Sequence, residues 1–217
     1  MAQPKAGPSR RLTDRRRART REALLSAGRA LFAARDVDGV SVDEIVEAAE
    51  VAKGSFYNHF TDKDVFAREI AAAVRRQVEQ AVNDANKDID DPAEHLARAL
   101  CVFAHFAIEH PDSARVLWRL NSGATMVDAP INRGLRDVVH NGIRSQRFRH
   151  VDLESGVLLV MGVIVIVLRH VLEERLVTPP HAVAANMAAG LLRAMGIANA
   201  QAARLSAAAA NDLLQSA

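Results

Sequence analysis

The spacing of apolar residues along this chain predicts helices from one end to the other. Apolar and small residues recur at three-, four- and seven-residue intervals, as Leu24, Gly28 and Leu31 do, which places them on one face of a helix. Alternating strands and hairpin turns have no signal in the sequence. We therefore expect an all-α fold of nine or ten helices. Their predicted spans are 15–36, 42–49, 53–59, 62–86, 92–109, 111–122, 129–147, 152–174, 180–195 and 199–215.

One segment, Val160–Val167, has the valine and isoleucine content that is typical of a strand. It lies inside the capped stretch 152–174, and no other segment of the sequence has the pattern of a partner strand, so we predict a helix there. Prolines stand where several segments begin, and a proline in the first turn of a helix costs no hydrogen bond. These prolines are Pro92, Pro111, Pro130, Pro179 and Pro180.

Residues 41–60 predict two short helices joined by a tight turn. Ser41 and Glu44 have the spacing of a capping box, in which each side chain accepts a hydrogen bond from the other residue's backbone amide. In the second helix Phe56 and Phe60 share one face at i and i+4, so the polar side chains lie mostly elsewhere. This is the physical description of a helix-turn-helix, whose second helix enters a major groove about 12 Å wide.

The positive charge of the chain is concentrated at its N-terminus. The formal net charge is +2, yet residues 1–21 contain eight basic residues and a single acidic one, Asp14, so the remainder is net negative. We interpret residues 1–14 as a disordered basic arm that follows the DNA backbone or enters the minor groove, with Arg16, Arg17 and Arg19 continuing it. A solvated tail without DNA contacts is the alternative.

The residues of the two short helices match a known family. The segment GVSVDEIVEAAEVAKGSFYNHF at 39–60, and above all its KGSFYNHF core, closely resembles the DNA-binding domain of the tetracycline-repressor (TetR) family. The resemblance covers about residues 16–70, and beyond them only helix number and length are similar. It implies a helix-turn-helix DNA-binding domain at 15–62 and a helical effector-binding and dimerisation domain at 63–217.

Two positions depart from the residues usual in that family. Glu50 stands where the turn usually has glycine, and Ala52 stands where serine or threonine usually opens the recognition helix. We expect Glu50 to adopt a left-handed conformation at a cost of about 1 kcal/mol, and Ala52 to leave its helix without a side-chain cap.

The resemblance also implies which side chains meet DNA. Lysine can contact guanine or phosphate, glycine lets the backbone approach closely, and asparagine can pair with adenine. A half-buried ring is the alternative for the tyrosine, and an ordinary surface or core residue for the histidine. The residues so implied on the recognition helix are Lys53, Gly54, Ser55, Tyr57 and Asn58, and those on the DNA backbone are Ser41, His59 and Lys63.

The later helices carry residues that the resemblance places around a small-molecule cavity. Aromatic residues at helical spacing are more often plain core, and this alternative stays open for each of them. The candidates are Phe103, Phe106, Trp118, Met126 and His140. Cys101 is flanked by apolar residues, and we interpret it as a small buried hydrophobic residue rather than a redox sensor.

The segment Val157–Val171 is apolar nearly all round, which is unusual for a surface helix of a monomer. The next helix contains small residues that allow close approach, so we expect both helices to pair with their copies in a four-helix homodimer interface. Alternatively the first is the central helix of the monomer core, and both interpretations can hold together. The candidate interface residues are Val157, Val160, Ile164, Val167, Ala184, Ala188 and Leu191.

Other features exclude several classes of protein. A single cysteine and the absence of metal-ligand spacing among the eight histidines argue against a disulfide, a metal site or any other cofactor. The basic start lacks the apolar stretch of a secretory signal, and the apolar run Val157–Leu168 is shorter than the ~20 residues that span a membrane. Catalytic motifs such as a nucleophile elbow or phosphate loop do not occur, so we do not expect an enzyme.

We therefore predict a cytoplasmic, nucleoid-associated transcriptional regulator: a homodimeric repressor that binds a palindromic double-stranded DNA operator and is released by a small-molecule effector. One alternative is an effector-independent DNA-binding or nucleoid-associated protein of the same fold. A second alternative, from another class, is a protein whose basic head binds an anionic membrane surface.

Overall fold

The computed structural model describes residues 8–120, 132–173 and 177–214, with side chains from Asp14 onward. Within these ranges the chain forms ten α-helices, one 3-10 turn at Val37–Gly39 and no strand, which confirms the all-α prediction. The helices are α1 (Pro8–Ala34), α2 (Val42–Ala48), α3 (Lys53–Tyr57), α4 (Lys63–Ala85), α5 (Pro92–Glu109), α6 (Pro111–Arg119), α7 (Arg133–Arg144), α8 (Leu153–Leu172), α9 (Pro180–Ala194) and α10 (Asn199–Leu214).

Most helix bounds lie close to the predicted ones, and the largest difference is at α1. This helix begins at Pro8 rather than at residue 15, so residues 8–14 of the predicted disordered arm are helical. The reason is local: proline suits a first helical turn, and residues 9–27 contain no glycine or proline to interrupt an arginine- and alanine-rich segment. Residues 1–7 of the arm and the predicted helix start at 129–131 lie outside the described residues. Val160–Val167 is helical, as expected.

The chain divides into two compact units, residues 1–73 and 74–217, and the division falls inside α4. The sequence analysis places the boundary between residues 62 and 63, before this helix. The difference arises because Phe66 and Ile70 of α4 are buried in the core of unit 1, so that unit continues into the helix.

Unit 1 is organised around four phenylalanines, each at most 2% exposed: Phe32, Phe56, Phe60 and Phe66. The ring centroids of Phe60 and Phe66 are 4.7 Å apart, and those of Phe56 and Phe66 are 5.3 Å apart. A Cβ atom at Gly28 would lie 2.4 Å from the Phe66 ring, so only glycine lets α1 approach α4 this closely. The aromatic core anchors α3 through its inner face and leaves its outer face to solvent.

Unit 2 is built around α5, which contacts every helix from α6 to α10. Asp91 caps α5 by accepting a hydrogen bond from the Ala93 amide at 2.9 Å. The same carboxylate accepts two hydrogen bonds from Arg147, at 2.8 and 2.6 Å, and Arg147 also donates to Gln201 on α10 at 3.1 Å. This network ties the start of α5 to α10 and to the segment that follows α7.

Helix α8 is the described helix whose length and composition alone would suit a membrane span. It has 20 residues and a mean hydropathy of 2.3, and 39% of that stretch is buried inside the chain. The sequence analysis considered only the shorter run Val157–Leu168. One face of α8 packs on α5, α6, α7 and α9, while Leu158, Val165 and Ile166 remain exposed on another.

Candidate functional site

Helix α2 begins with the capping box that the sequence predicts. The Ser41 amide donates to Glu44 Oε2 at 2.8 Å, and the Glu44 amide donates to Ser41 Oγ at 3.2 Å. The Ser41 amide, the Arg35 guanidinium and the Ser41 hydroxyl, in that order, lower the pKa of Glu44 to about 2. The start of the helix-turn-helix is thereby held by a carboxylate that stays ionised in all but strong acid.

The turn between α2 and α3 also has the predicted conformation. Glu50 has a φ of 54°, in the left-handed region. The Val51 amide donates to the Val46 carbonyl and the Glu50 amide to the Glu47 carbonyl, both at 3.0 Å, which is the Schellman pattern of a helix end. Ala52 precedes α3 in an extended conformation and makes no side-chain cap. Both expected departures are therefore present, and the backbone bonds close the turn without glycine.

Helix α3 presents its polar residues on one side. Phe56 is fully buried, whereas Tyr57 is 54% exposed, so the tyrosine is not a half-buried ring. Lys53, Gly54 and Asn58 are also exposed, and a Cβ atom at Gly54 would meet no atom within 4 Å. The candidates on this surface therefore lie together, and Ser55 and His59 are half-buried beside them.

Lys53 is tied to a residue that the sequence analysis did not single out. Its Nζ atom lies 2.8 Å from Asp43 Oδ1 and 3.1 Å from Asp43 Oδ2. The hydrogen bond to Asp43, with the attraction between the charges, raises the pKa of Lys53. Asp43 lies in the first turn of α2 and Lys53 opens α3, and no local sequence signal shows that the two helix starts meet.

Lys63, in the first turn of α4, bonds to protein rather than standing free. Its Nζ atom donates to the Val40 carbonyl at 2.9 Å. Arg35 holds the neighbouring carbonyl of Gly39 at 3.1 Å and also pairs with Glu44 at 2.7 Å. The resemblance implies that Lys63 meets the DNA backbone, and the Val40 carbonyl is an acceptor that it already has within the protein.

The α1 arginines Arg16, Arg17 and Arg19 are exposed. The Arg17 guanidinium donates to the Asn58 carbonyl at 3.5 Å, next to His59. Burial, followed by the charges of Arg17 and Arg21, lowers the pKa of His59, which favours the neutral form of this imidazole. Basic groups from α1 thus lie beside the end of α3.

The predicted effector residues differ in how deeply they are buried. Phe106 is buried and Phe103 is half-buried, both on α5. His140 is exposed, because α7 turns Val139 and Gly142 inward instead. Met126 lies outside the described residues.

Trp118 is 41% exposed and lies in an open cleft between α6 and α8 with a volume of about 160 Å³. The guanidinium groups of Arg169 and Arg119 lie 5.4 and 5.9 Å from the centre of the indole ring. Sequence reasoning missed Arg169 because it belongs to α8, which is far from α6 along the chain. The cleft is lined by Arg115, Trp118, Arg119, Arg169, Leu172 and Glu173.

Most of the predicted dimer-interface residues are buried within the single chain. Six of the seven predicted interface residues are at most 2% exposed within the single chain, so a second copy could not reach them: Val157, Val160, Val167, Ala184, Ala188 and Leu191. Ile164 is half-buried. The apolar side chains that α8 leaves uncovered are Leu158, Val165 and Ile166.

Two observations on the described residues concern metal and thiol chemistry. No group of three or more His, Cys, Asp or Glu side chains is arranged there to hold a metal ion. Cys101 is buried, and this burial raises the pKa of its thiol to about 12, so the thiolate is scarce at neutral pH. The residue packs as the small hydrophobic residue that its neighbours predict.

Two family profiles match the sequence. The profile "Bacterial regulatory proteins, tetR family" matches residues 24–70, and "Tetracyclin repressor-like, C-terminal domain" matches residues 91–208, which is more than half of the chain. The HTH-type transcriptional repressor DhaR of Mycobacterium sp. (strain GP1) is 33% identical over 101 residues, 41% of this chain and 51% of DhaR. The chain thus spans about half the length of this curated relative.

Solved structures share the fold. A gamma-butyrolactone receptor (ArpA-like protein) superposes with a TM-score of 0.67 at 23% identity, over 91% of this chain and 99% of the receptor. RolR in complex with resorcinol superposes with a TM-score of 0.58 at 25% identity, over 89% of this chain and 95% of RolR. The similarity extends through both units.

Proposed function

This chain belongs to the tetR family of bacterial regulatory proteins, and we propose that it is a cytoplasmic, nucleoid-associated homodimeric repressor that binds a palindromic operator and leaves it when a small molecule binds. Proteins of this family are regulators rather than enzymes. In this proposal unit 1 reads the DNA, and unit 2 binds the effector and a second copy of the chain.

The observation that carries the proposal is the two-sided character of α3. Its inner residue Phe56 is fully buried against other aromatic rings, and its outer side exposes Lys53, Tyr57 and Asn58. A rigidly anchored helix with donors and acceptors on its free side suits insertion into a major groove. The exposed arginines of α1 add charge for the phosphate backbone.

The uncovered apolar face of α8 supports a dimer. Leu158, Val165 and Ile166 are 39%, 40% and 53% exposed, and Gly162 between them is open to close approach. A second copy placed on this face would cover it and would present two α3 helices. The two α3 helices of a two-fold dimer would contact half-sites about one helical turn apart, roughly 34 Å. This symmetry favours a palindromic operator.

The cleft beside Trp118 supports a small-molecule effector. It offers an indole face together with guanidinium N–H donors, which suit a compact ligand that carries hydrogen-bond acceptors. The names of two similar structures mention small molecules, resorcinol and a γ-butyrolactone. Because Trp118 is the single tryptophan of the chain, its fluorescence reports directly on this cleft.

One observation favours a second candidate, an effector-independent DNA-binding protein. Trp118 and His140 are both exposed rather than turned into a common cavity with Phe106. A titration of the protein with resorcinol and with a γ-butyrolactone, followed by Trp118 fluorescence and by DNA release, separates the candidates. If neither probe nor any compound of a wider panel releases the protein from DNA, the effector-independent candidate is favoured.

The decisive experiment for DNA binding is selection of sites from a random duplex pool. We expect enrichment of a palindrome. Asn58→Ala should relax one position of each half-site and cost ~1–3 kcal/mol there, whereas Asn141→Ala, at an exposed asparagine of α7, should change nothing. A pool that yields no palindrome, or two variants that behave alike, would contradict the proposal.

A further inference from the structure

We infer that Asp43 is a specificity-determining residue of the DNA-reading surface, because it holds Lys53 in one position at the start of α3 and so keeps the lysine from binding whichever phosphate is nearest. The inference rests on the proposed DNA-binding function. It assigns a role to a residue of α2 that does not itself need to touch a base.

The geometry of the pair restricts the lysine. Lys53 Nζ lies 2.8 Å from one carboxylate oxygen of Asp43 and 3.1 Å from the other, so the ammonium bridges both. A lysine side chain is otherwise a mobile point charge on four methylene groups. An ammonium has three N–H donors, and a bridge to two oxygens leaves one for another acceptor.

The carboxylate of Asp43 is not needed to close its own helix. The start of α2 is capped by Ser41 and Glu44, which bond each other's backbone amides at 2.8 and 3.2 Å. Glu44 is further engaged by Arg35 at 2.7 Å. Asp43 lies between Ser41 and Glu44 in sequence, and its carboxylate bonds to Lys53 instead.

Stability does not account for the pair either. The side chains of Lys53 and Asp43 are 57% and 69% exposed, and surface ion pairs of this kind contribute little to folding. A carboxylate on a surface that approaches DNA also repels phosphate, which lowers affinity. A residue that adds little stability and opposes binding is explained if it favours the correct sequence over others.

The preference for the correct DNA site follows from what happens to the Asp43–Lys53 ion pair in each DNA complex. On unrelated DNA, a phosphate can bind Lys53 only if Lys53 gives up its pairing with Asp43. The Asp43 carboxylate is then an unpaired charge close to the phosphate backbone. On the correct site, Lys53 keeps Asp43 and donates its remaining N–H to a base acceptor, such as O6 or N7 of guanine. Asp43 therefore weakens unspecific binding more than specific binding, and the ratio between the two increases.

The test compares Asp43→Asn with a matched control, Glu47→Gln. Glu47 is exposed one helical turn after Asp43, so it is the same kind of charge on the same face of α2. Each variant is titrated with the selected operator and with unrelated duplex DNA over a range of salt concentrations, and its thermal unfolding is recorded to verify the fold.

We expect Asp43→Asn to bind unrelated DNA more tightly, with a salt slope steeper by about 0.9, as one additional phosphate contact predicts. The ratio of operator to unrelated affinity should fall by roughly fivefold or more, the size of one weakened base contact. Glu47→Gln should strengthen both complexes alike and leave the ratio unchanged. In Lys53→Ala, the further change Asp43→Asn should no longer alter the ratio.

Equal effects of Asp43→Asn and Glu47→Gln on the ratio would overturn the inference, because Asp43 would then act through its charge alone. An unchanged ratio in Asp43→Asn would overturn it as well. If the wild-type protein selects no DNA sequence at all, the proposed function fails and the inference fails with it, a result that the wild-type titration alone identifies.

Discussion

Two glycines of unit 1 provide space for different partners. A Cβ atom at Gly28 would lie 2.4 Å from the Phe66 ring, inside the protein, while a Cβ atom at Gly54 would meet no protein atom within 4 Å. The first glycine is therefore required by the fold. The second is not, and its open surface is available to DNA.

We predict that Gly28→Ala lowers the stability of unit 1 by about 1–3 kcal/mol, because the added methyl overpacks the core. Gly54→Ala should leave the thermal unfolding midpoint unchanged or slightly raised, because alanine favours a helix more than glycine does. The same Gly54→Ala change should weaken operator binding by blocking close approach. Thermal unfolding and DNA titration of both variants check this, and a stable Gly28→Ala protein would contradict the packing argument.

The capping box predicts an acid-sensitive contribution from Glu44. Its pKa is lowered from 4.5 to about 2, so its contribution to stability is complete above pH 4.5 and is lost as the pH falls towards 2. Glu44→Gln removes the titrating group. The unfolding midpoint of wild type should therefore exceed that of Glu44→Gln at pH 6, and the difference should shrink as the pH approaches 2. A difference that is independent of pH would show that the charge of Glu44 is not involved.

At the scale of the helix, the sequence predicts that a helix is present, and roughly where it lies, better than it predicts which of its faces is buried. A capped helix such as α2 carries its own start signal, so its start could be located in advance, whereas the start of α1 was predicted seven residues too late. Helix α8 is apolar on every side, and its hydrophobic pattern cannot distinguish the face that packs on α5 from the face of Ile166. That choice depends on the shapes of the neighbouring helices, which are distant in sequence.

The same reasoning explains what was missed in the candidate sites. The candidates on α3 form one short contiguous segment, so a sequence motif was enough to propose them, and their contacts with DNA stay a prediction. The Lys53 partner Asp43 and the Trp118 partner Arg169 come from other helices. His140 is exposed on α7, because Phe148 folds back on Gly142 and fixes the inner face of that helix.

The exposed face of α8 leads to a prediction about association. Ile166→Glu places a charge at a side chain that is 53% exposed, so the single chain should keep its fold while self-association is lost. Val177→Glu is the matched control, since Val177 is 100% exposed and lies outside α8. Sedimentation velocity should give a monomer for the first variant and wild-type behaviour for the second. A dimeric Ile166→Glu protein would place the interface elsewhere.

At the scale of the whole molecule, α4 is the helix in which one unit ends and the other begins. It runs from Lys63 to Ala85 without glycine or proline, so the two units share a continuous hydrogen-bonded segment. A conformational change in unit 2 can reach unit 1 through this segment provided that the effector binds the two states of the protein with different affinity.

We predict that the double change Ala73→Gly with Gln77→Gly, at two exposed positions of α4, uncouples DNA release from effector binding. Each glycine weakens the helix by about 1 kcal/mol. Trp118 fluorescence should still report binding of the compound that releases the wild-type protein from DNA, whereas release should require more of it. The control Ala73→Gln with Gln77→Ala keeps two strong helix formers. Normal release by the glycine variant would exclude α4 as the route.

The contacts around α5 set an order of folding during synthesis. Every buried residue of unit 1 lies before residue 74, so this unit can close while the rest of the chain is still being made. The core of unit 2 cannot, because α5 packs on α10, where Asp212 pairs with Arg98 at 2.7 Å and Gln201 accepts from Arg147. Unit 1 can therefore be folded on the ribosome long before unit 2 is complete, and the apolar face of α5 that packs on α10 stays uncovered until α10 emerges.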